Sequence, residues 1–145
     1  CHLDRSRRDL TVLVILMPAH NGNWLAEAKT TLNSLMLGWR PTSAELMGAS
    51  TIDGWFVVEA SDSTIRLMGK VSGHPNPNVG RGPLTITSIL LWLAEDSGWA
   101  RTASRYYFLG HPEPSRQPHL SQAERANIVL RASAWLDDQL HCLEN

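Results

Sequence analysis

At Trp55 the spacing of apolar residues changes from helical to alternating, and the change divides the chain. Ahead of it, Leu25, Ala28, Leu32, Leu35 and Met36 recur at three- and four-residue steps behind a potential N-cap at Asn23. That spacing predicts a helix over residues 24–37, closed by Gly38. Thr42 and Glu45, just after Pro41, have capping-box spacing and predict a short second helix ending near Gly48. Both helices offer narrow apolar stripes, so each needs another surface to lie on.

Beyond the divide, residues 55–59 read as a strand, Ser61-Asp62-Ser63 as its turn, and residues 64–72 as a second strand. In the second, Ile65, Leu67 and Val71 alternate against Arg66, Met68 and Lys70. Gly69 breaks the apolar row, which predicts a bulge or the close approach of another element. Residues 73–83 hold three prolines and three glycines and read as a loop, Gly80-Arg81-Gly82 included. Two extended segments, 84–93 and 99–110, joined by an acidic, glycine-ended turn, then predict the hairpin around which the rest is arranged. Ser121 and Glu124 repeat the capping-box spacing, and Ala123, Ala126, Leu130, Ala134 and Leu140 lie along one side of a last helix. That helix could dock on the sheet, pair with a second copy or stand apart.

These elements predict an α+β fold: a small antiparallel β-meander or half-barrel of about four strands, with two short N-terminal helices and a C-terminal helix. The expected organisation is an N-terminal extension over 1–22, an α+β domain over 23–112, a Pro-rich linker over 113–120 and the helix over 121–142. A length of 145 residues suits one domain with a core of its own. Six tryptophans against two tyrosines and two phenylalanines place most aromatic volume in tryptophan, so Trp55, Trp92 and Trp99 are expected near the core.

Within the extension, an arginine-rich start followed by apolar residues 10–17 imitates the first two regions of a secretory leader, yet no small-x-small cleavage site follows. The expectation is upstream translated sequence ahead of Met17, or an added strand, with an export signal as the alternative. The apolar run is too short to span a bilayer, and no other segment is long and apolar enough, so no membrane partner is expected. Cys1 and Cys142 sit at the two ends with no metal-site or disulfide-framework spacing, and a reducing, cytoplasmic location is the simpler reading.

The strings at 41–46, Trp55, 69–75, Thr87-Ser88 and 98–110 together resemble a family of small bacterial proteins of unknown function, over residues 40–112. The most specific part is Gly98-Trp99-Ala100-Arg101-Thr102, then Ser104-Arg105-Tyr106-Tyr107, then Leu109-Gly110. The resemblance implies a compact domain ending in that hairpin and carries no catalytic or ligand assignment. This chain departs from the pattern at Ile89, where a proline is expected, and in its Pro-rich linker and final helix.

A formal net charge of -1 creates no global field toward nucleic acid or anionic membrane, so any basic footprint is local. One is available. Between Thr64 and Pro112, Arg66, Lys70, Arg81, Arg101 and Arg105 stand close to Trp99, Tyr106 and Tyr107, and their only carboxylates are Glu95 and Asp96. Cations interleaved with rings suit single-stranded nucleic acid, phosphates meeting the cations and bases stacking on the rings. In one regular strand Arg101, Ala103, Arg105 and Tyr107 would share a face. Lys70, Arg101, Arg105, Tyr106 and Tyr107 are therefore the candidate contacts for a protein or single-stranded nucleic-acid partner; the plainer reading is the solvated face of a half-buried sheet. Thr85, Thr87, Thr102 and Ser104 read as cross-strand hydroxyl pairs.

Two Gly-His-Pro segments, 73–75 and 110–112, raise His74 and His111 as a shared metal or proton-transfer pair, with Glu59, Asp62 or Asp96 as carboxylate partners. The plainer reading is a pair of strand exits. No dinucleotide, Walker, H-E-x-x-H or C-x-x-C motif occurs, and no cofactor is expected. Three functions follow in order. The first is a non-enzymatic binding or accessory module that uses the 84–110 hairpin face. The second is a small metal-assisted or hydrolase-like enzyme built on His74 and His111, and the third a structural homodimer through Trp135, Leu136 and Leu140 of the last helix.

Overall fold

A computed structural model describes residues 23–76, 82, 84–116 and 119–144. Helix α1 (Asn23–Met36) and the single turn α2 (Ser43–Leu46) precede five strands: β1 (Ser50–Glu59), β2 (Ile65–Ser72), β3 (Thr85–Ala94), β4 (Trp99–Thr102) and β5 (Tyr106–Leu109). A 3-10 turn, Glu95–Ser97, joins β3 to β4, and helix α3 (Gln122–Glu144) follows the sheet. The expectations for residues 1–22, including Cys1 and Met17, and for Gly80 and Arg81 lie outside the described residues, whereas Cys142 is disulfide-bonded, against the expectation of unpaired cysteines.

The fold is α+β, with one strand more than expected and a barrel that closes. The extra strand arises because residues 99–110 are not continuous: Ala103 N donates to Ile89 O at 2.8 Å and Thr102 N to Arg105 O at 2.9 Å, so the chain turns at 103–105. The Thr102 hydroxyl accepts from Arg105 N at 3.3 Å and holds the turn, a local bond that competes with strand continuation. Each strand pairs antiparallel with the next. Directions alternate in such a meander, so the fifth strand runs the same way as the first, and the closing pair is parallel: Ser50 with Tyr107, Thr51 with Phe108, Ile52 with Leu109. Closure joins the two outer strands to each other and leaves the sheet no free edge.

β1 starts at Ser50, ahead of the expected Trp55, because its first residues pair with β2 on one side and β5 on the other. Its register shifts between Asp53 and Phe56, where Gly54 takes φ 58°, and the bulge bends the strand round the barrel. Gly69 faces this point. A Cβ there would lie 2.8 Å from Ile52 Cγ1 and 2.9 Å from Asp53 O, which is the close approach predicted from the sequence. The segment after β5 is pinned to the same bulge: Gly54 N donates to His111 O at 2.8 Å, Trp55 Nε1 to Gly110 O at 3.0 Å, and Glu113 N to Trp55 O at 2.9 Å.

Two apolar layers share β3. Ile52, Trp55, Leu67, Val71, Leu90, Leu93, Ala100 and Tyr107 belong to the barrel core. On the other face of β3, Ile89 and Leu91 cluster with Leu25, Ala28 and Leu32 of α1 and with Ala132 and Leu136 of α3. α1 buries the stripe its spacing predicts. α3 does not: Ala123, Ala126, Leu130 and Ala134 face solvent, Leu130 being 66 % exposed, while Ile128, Ala132 and Leu136 are buried. Burial scales with apolar area, so Ile128 and Leu136, flanked by Val129 and Trp135, outweigh a stripe made mostly of alanine. Trp24 and Trp135 pack at 6.5 Å, and Lys29 Nζ reaches Asp137 at 2.9 Å and Ser133 at 2.8 Å, so α3 docks within its own chain.

Truncating Leu136 to Ala is expected to lower unfolding free energy by about 2–5 kcal/mol in urea titration, whereas Leu130→Ala stays within about 0.5 kcal/mol. Equal losses at the two positions would contradict this docking. Gly69→Ala is expected to be destabilised by about 1–3 kcal/mol, because the added methyl meets backbone that the barrel holds in place.

Candidate functional site

The meander gathers the start of β1, the end of β2, the start of β3, the end of β4 and the start of β5 at one end of the barrel. The other end carries the β1–β2 and β3–β4 turns, with Glu59, Asp62, Glu95 and Asp96. The first end is different. Its described residues, 49–51, 71–76, 84–88 and 102–107, include Arg105 and His74 and no Asp or Glu. Glu45 of α2 acts on Tyr106 at the first end, and at the other end Arg131, Arg66 and Arg125 bridge Glu59, Asp62 and Glu95.

Side chains alternate along a strand, so Ser50 points inward with Ile52, Tyr107 with Leu109, Thr102 with Ala100 and Ser88 with Leu90. Ser50 and Tyr107 are register partners in the closing pair, 2 % and 3 % exposed. Most hydroxyls here serve the sheet. Ser88 and Ser104 pair at 3.0 Å, Thr102 and Ser104 at 3.3 Å, and Thr87 Oγ1 accepts from Leu67 N at 3.1 Å while donating to Ser88 O at 2.8 Å. The cross-strand pairing expected for these residues is present, with Ser88 rather than Thr85 as the β3 partner. Ser50 differs: its Oγ is buried and, among the described residues, has no hydrogen-bond partner.

The candidate contacts separate. Because the chain turns at 103–105, counting even steps from Arg101 to Tyr107 fails, and Tyr107 lies in the barrel core rather than on an outer face. Arg101 instead pairs across the hairpin with Tyr106, its guanidinium 4.8 Å from the ring centroid and its Nε donating to Thr102 O at 2.7 Å. Lys70 is exposed on β2, opposite Asp53. Arg66, expected among the surface cations, is 5 % exposed and donates to Thr64 Oγ1 at 2.9 Å and Thr87 O at 3.2 Å. Arg105 is half-buried at the basic end, and among the described residues its guanidinium has no hydrogen bond and no carboxylate.

Charge at this end acts on its neighbours. Burial, and then the Arg105 charge, hold the His74 imidazole below its ordinary 6.5. Burial pushes the Tyr107 hydroxyl up, and Arg105 opposes that shift. Arg101 is lowered by burial, with Tyr106 opposing. His111 lies elsewhere: its N donates to Asp53 Oδ1 at 2.8 Å and its carbonyl accepts from Gly54, whereas His74 follows Ser72, the partner of Thr51. The two imidazoles are not brought together, and among the described residues no group of three or more His, Cys, Asp or Glu could hold a metal ion.

A concavity of ≈ 410 Å³ lies between the β3–β4 turn and α3. Arg40 stacks over Trp92 there at 4.9 Å, and Arg125 bridges Glu95 at 3.2 Å, so its charges are mixed and largely met. Sequence reasoning missed Ser50 because residues 50–54 were outside every expected strand; the alternation Ser50, Ile52 against Thr51, Asp53 was the available signal.

A model described as a family of unknown function (DUF6634) matches residues 21–136. The match runs through the Pro-rich segment and into α3, both of which the sequence reading had set apart from the resemblance. No curated protein and no solved structure matches. No helix among the described residues is long and apolar enough to cross a membrane.

His74 is expected to titrate below 6.5 in an NMR pH series, and Arg105→Gln should raise its midpoint only part of the way, because burial is the larger cause. An unmoved midpoint would contradict their proximity. With the folded value below the unfolded one, the His74 contribution to stability is complete above 6.5 and falls as pH drops toward the folded midpoint.

Proposed function

We propose that this chain, which belongs to that family of unknown function, is a small non-enzymatic binding module that engages an acidic segment of a protein partner through the β4–β5 hairpin and the basic end of the barrel. One observation carries the reading. Lys29, Arg66, Arg125 and Arg131 are bridged to Asp137, Asp62, Glu95 and Glu59, whereas among the described residues the hairpin cations Arg101 and Arg105 form no ion pair, Glu27 acting on Arg101 only from a distance. Both are half-buried, and Arg101 is held between Tyr106 and Thr102 O. A half-buried cation that forms no ion pair is complementary to an acidic surface.

The rings favour protein over nucleic acid. Trp99 and Tyr107 are buried, which removes two of the three rings that would stack on successive bases, and leaves Tyr106 and Phe108 at the outer face. Recognition would run through side chains, since a closed barrel has no strand edge to extend.

Fluorescence anisotropy with a labelled poly-glutamate peptide and an oligothymidylate of equal charge tests this. The peptide is expected to bind with salt-sensitive affinity, and Arg101→Gln with Arg105→Gln to weaken it about tenfold or more, on the order of 1.4 kcal/mol. Tighter binding of the oligonucleotide would transfer the function to nucleic acid. Peptide affinity unchanged in the double variant would overturn the proposal.

A further inference from the structure

We infer that the concavity between the β3–β4 turn and α3 binds a small zwitterion, a molecule that carries a carboxylate and an ammonium group on a short apolar body. The site uses neither Arg101 nor Arg105, so the inference goes beyond the binding reading and does not rest on it. At ≈ 410 Å³ the concavity falls within the roughly 300–1,000 Å³ of small-molecule sites. Trp92, Ala126 and Val129 contribute apolar lining, and the charged lining is Arg40, Arg125, Glu95 and Asp96.

Two of these four charges meet each other. Arg125 Nη2 donates to Glu95 Oε1 at 3.2 Å, and His119 Nδ1 lies 3.8 Å from the other oxygen of that carboxylate. What remains is one cation and one anion. Arg40 is held in place: its guanidinium stacks over Trp92 at 4.9 Å, and Nη1 donates to Leu35 O at 3.1 Å and to Trp39 O at 2.7 Å. Those bonds occupy both Nη1 protons, and among the described residues Nε and Nη2 have neither a hydrogen bond nor a carboxylate. That edge of a guanidinium is a fork of two parallel donors, which fits the paired oxygens of a carboxylate. Because Arg40 is already fixed, binding orders little that was loose. Asp96, in the 3-10 turn, is exposed and forms no ion pair among the described residues, so it is open to an ammonium group. A dianion such as phosphate would meet Asp96 and Glu95 on the same lining, and a diamine would meet Arg40 and Arg125. A ligand with one charge of each sign answers both.

The test titrates the full chain with leucine, whose two charges share one carbon, and with ε-aminocaproate, whose charges stand at opposite ends of an apolar chain. The indole N–H of Trp92 is followed by NMR, and caproate and hexylamine, each with one charge, serve as controls. At least one zwitterion is expected to saturate the indole shift, with both controls binding about tenfold more weakly. Asp96→Asn should weaken the zwitterion about tenfold and leave caproate unchanged, whereas Arg40→Gln should weaken both. Asp96 is exposed, so its variant tests the site even where Arg40→Gln loosens the segment that Arg40 ties to α1. Saturation by leucine supports a ligand with adjacent charges, and by ε-aminocaproate one with separated charges. Failure of both zwitterions to saturate, caproate binding as tightly as either, or Asp96→Asn binding the zwitterion as tightly as the parent would overturn the inference. Each of these outcomes leaves the acidic-peptide reading standing, because that reading is decided at Arg101 and Arg105.

Discussion

β3 buries both of its faces, and the rest of the molecule is arranged by that fact. Leu90 and Leu93 point into the barrel while Ile89 and Leu91 point into the layer formed with α1 and α3. Each of these four side chains contributes roughly 1.5–3 kcal/mol by leaving water. A surface ion pair such as Lys29–Asp137 contributes about 0–1 kcal/mol, so it tunes the docking of α3 and does not decide it. The apolar run that looked from the sequence like the inner strand of a hairpin is the shared wall of two cores.

The position of the candidate site follows from the same wall. Helices α1 and α3 cover the outer side of β3, and the single turn α2 lies against β5. An odd number of meandering strands makes the closing pair parallel, and that pair sets Ser50 of β1 beside Tyr107 of β5. The turns that carry Glu59, Asp62, Glu95 and Asp96 fall at the opposite end. The gathering of these carboxylates at one end is thus a product of strand order, and Arg131, Arg66 and Arg125 meet three of them there.

Local chemistry was legible in the sequence. The capping boxes at Thr42 and Ser121, the glycine-ended turn at Gly98 with φ 78°, the α1 stripe and the close approach at Gly69 all follow from residues a few positions apart. What was not legible depends on distant partners. Nothing near Ser50 announces that Tyr107 will close a barrel on it, and the hydroxyl-held turn at 103–105 reverses a face count made on the assumption of one strand. The scarcity of acid beside the hairpin cations could be counted from the sequence; which of those cations stays unpaired could not, because Arg66 finds Asp62 and Thr87 only in the folded sheet. On α3 the alanines gave a stripe by period, and side-chain area chose another.

Native-state hydrogen exchange tests the shared wall most directly, by comparing the amides of Leu90 and Leu91 in β3 with those of Ala132 and Leu136 in α3. If one strand holds both cores, the four amides open together at the free energy of global unfolding. Exchange of the α3 pair at a much lower free energy, with β3 still protected, would mean that the barrel stands without its helical layer and that β3 is not what joins them.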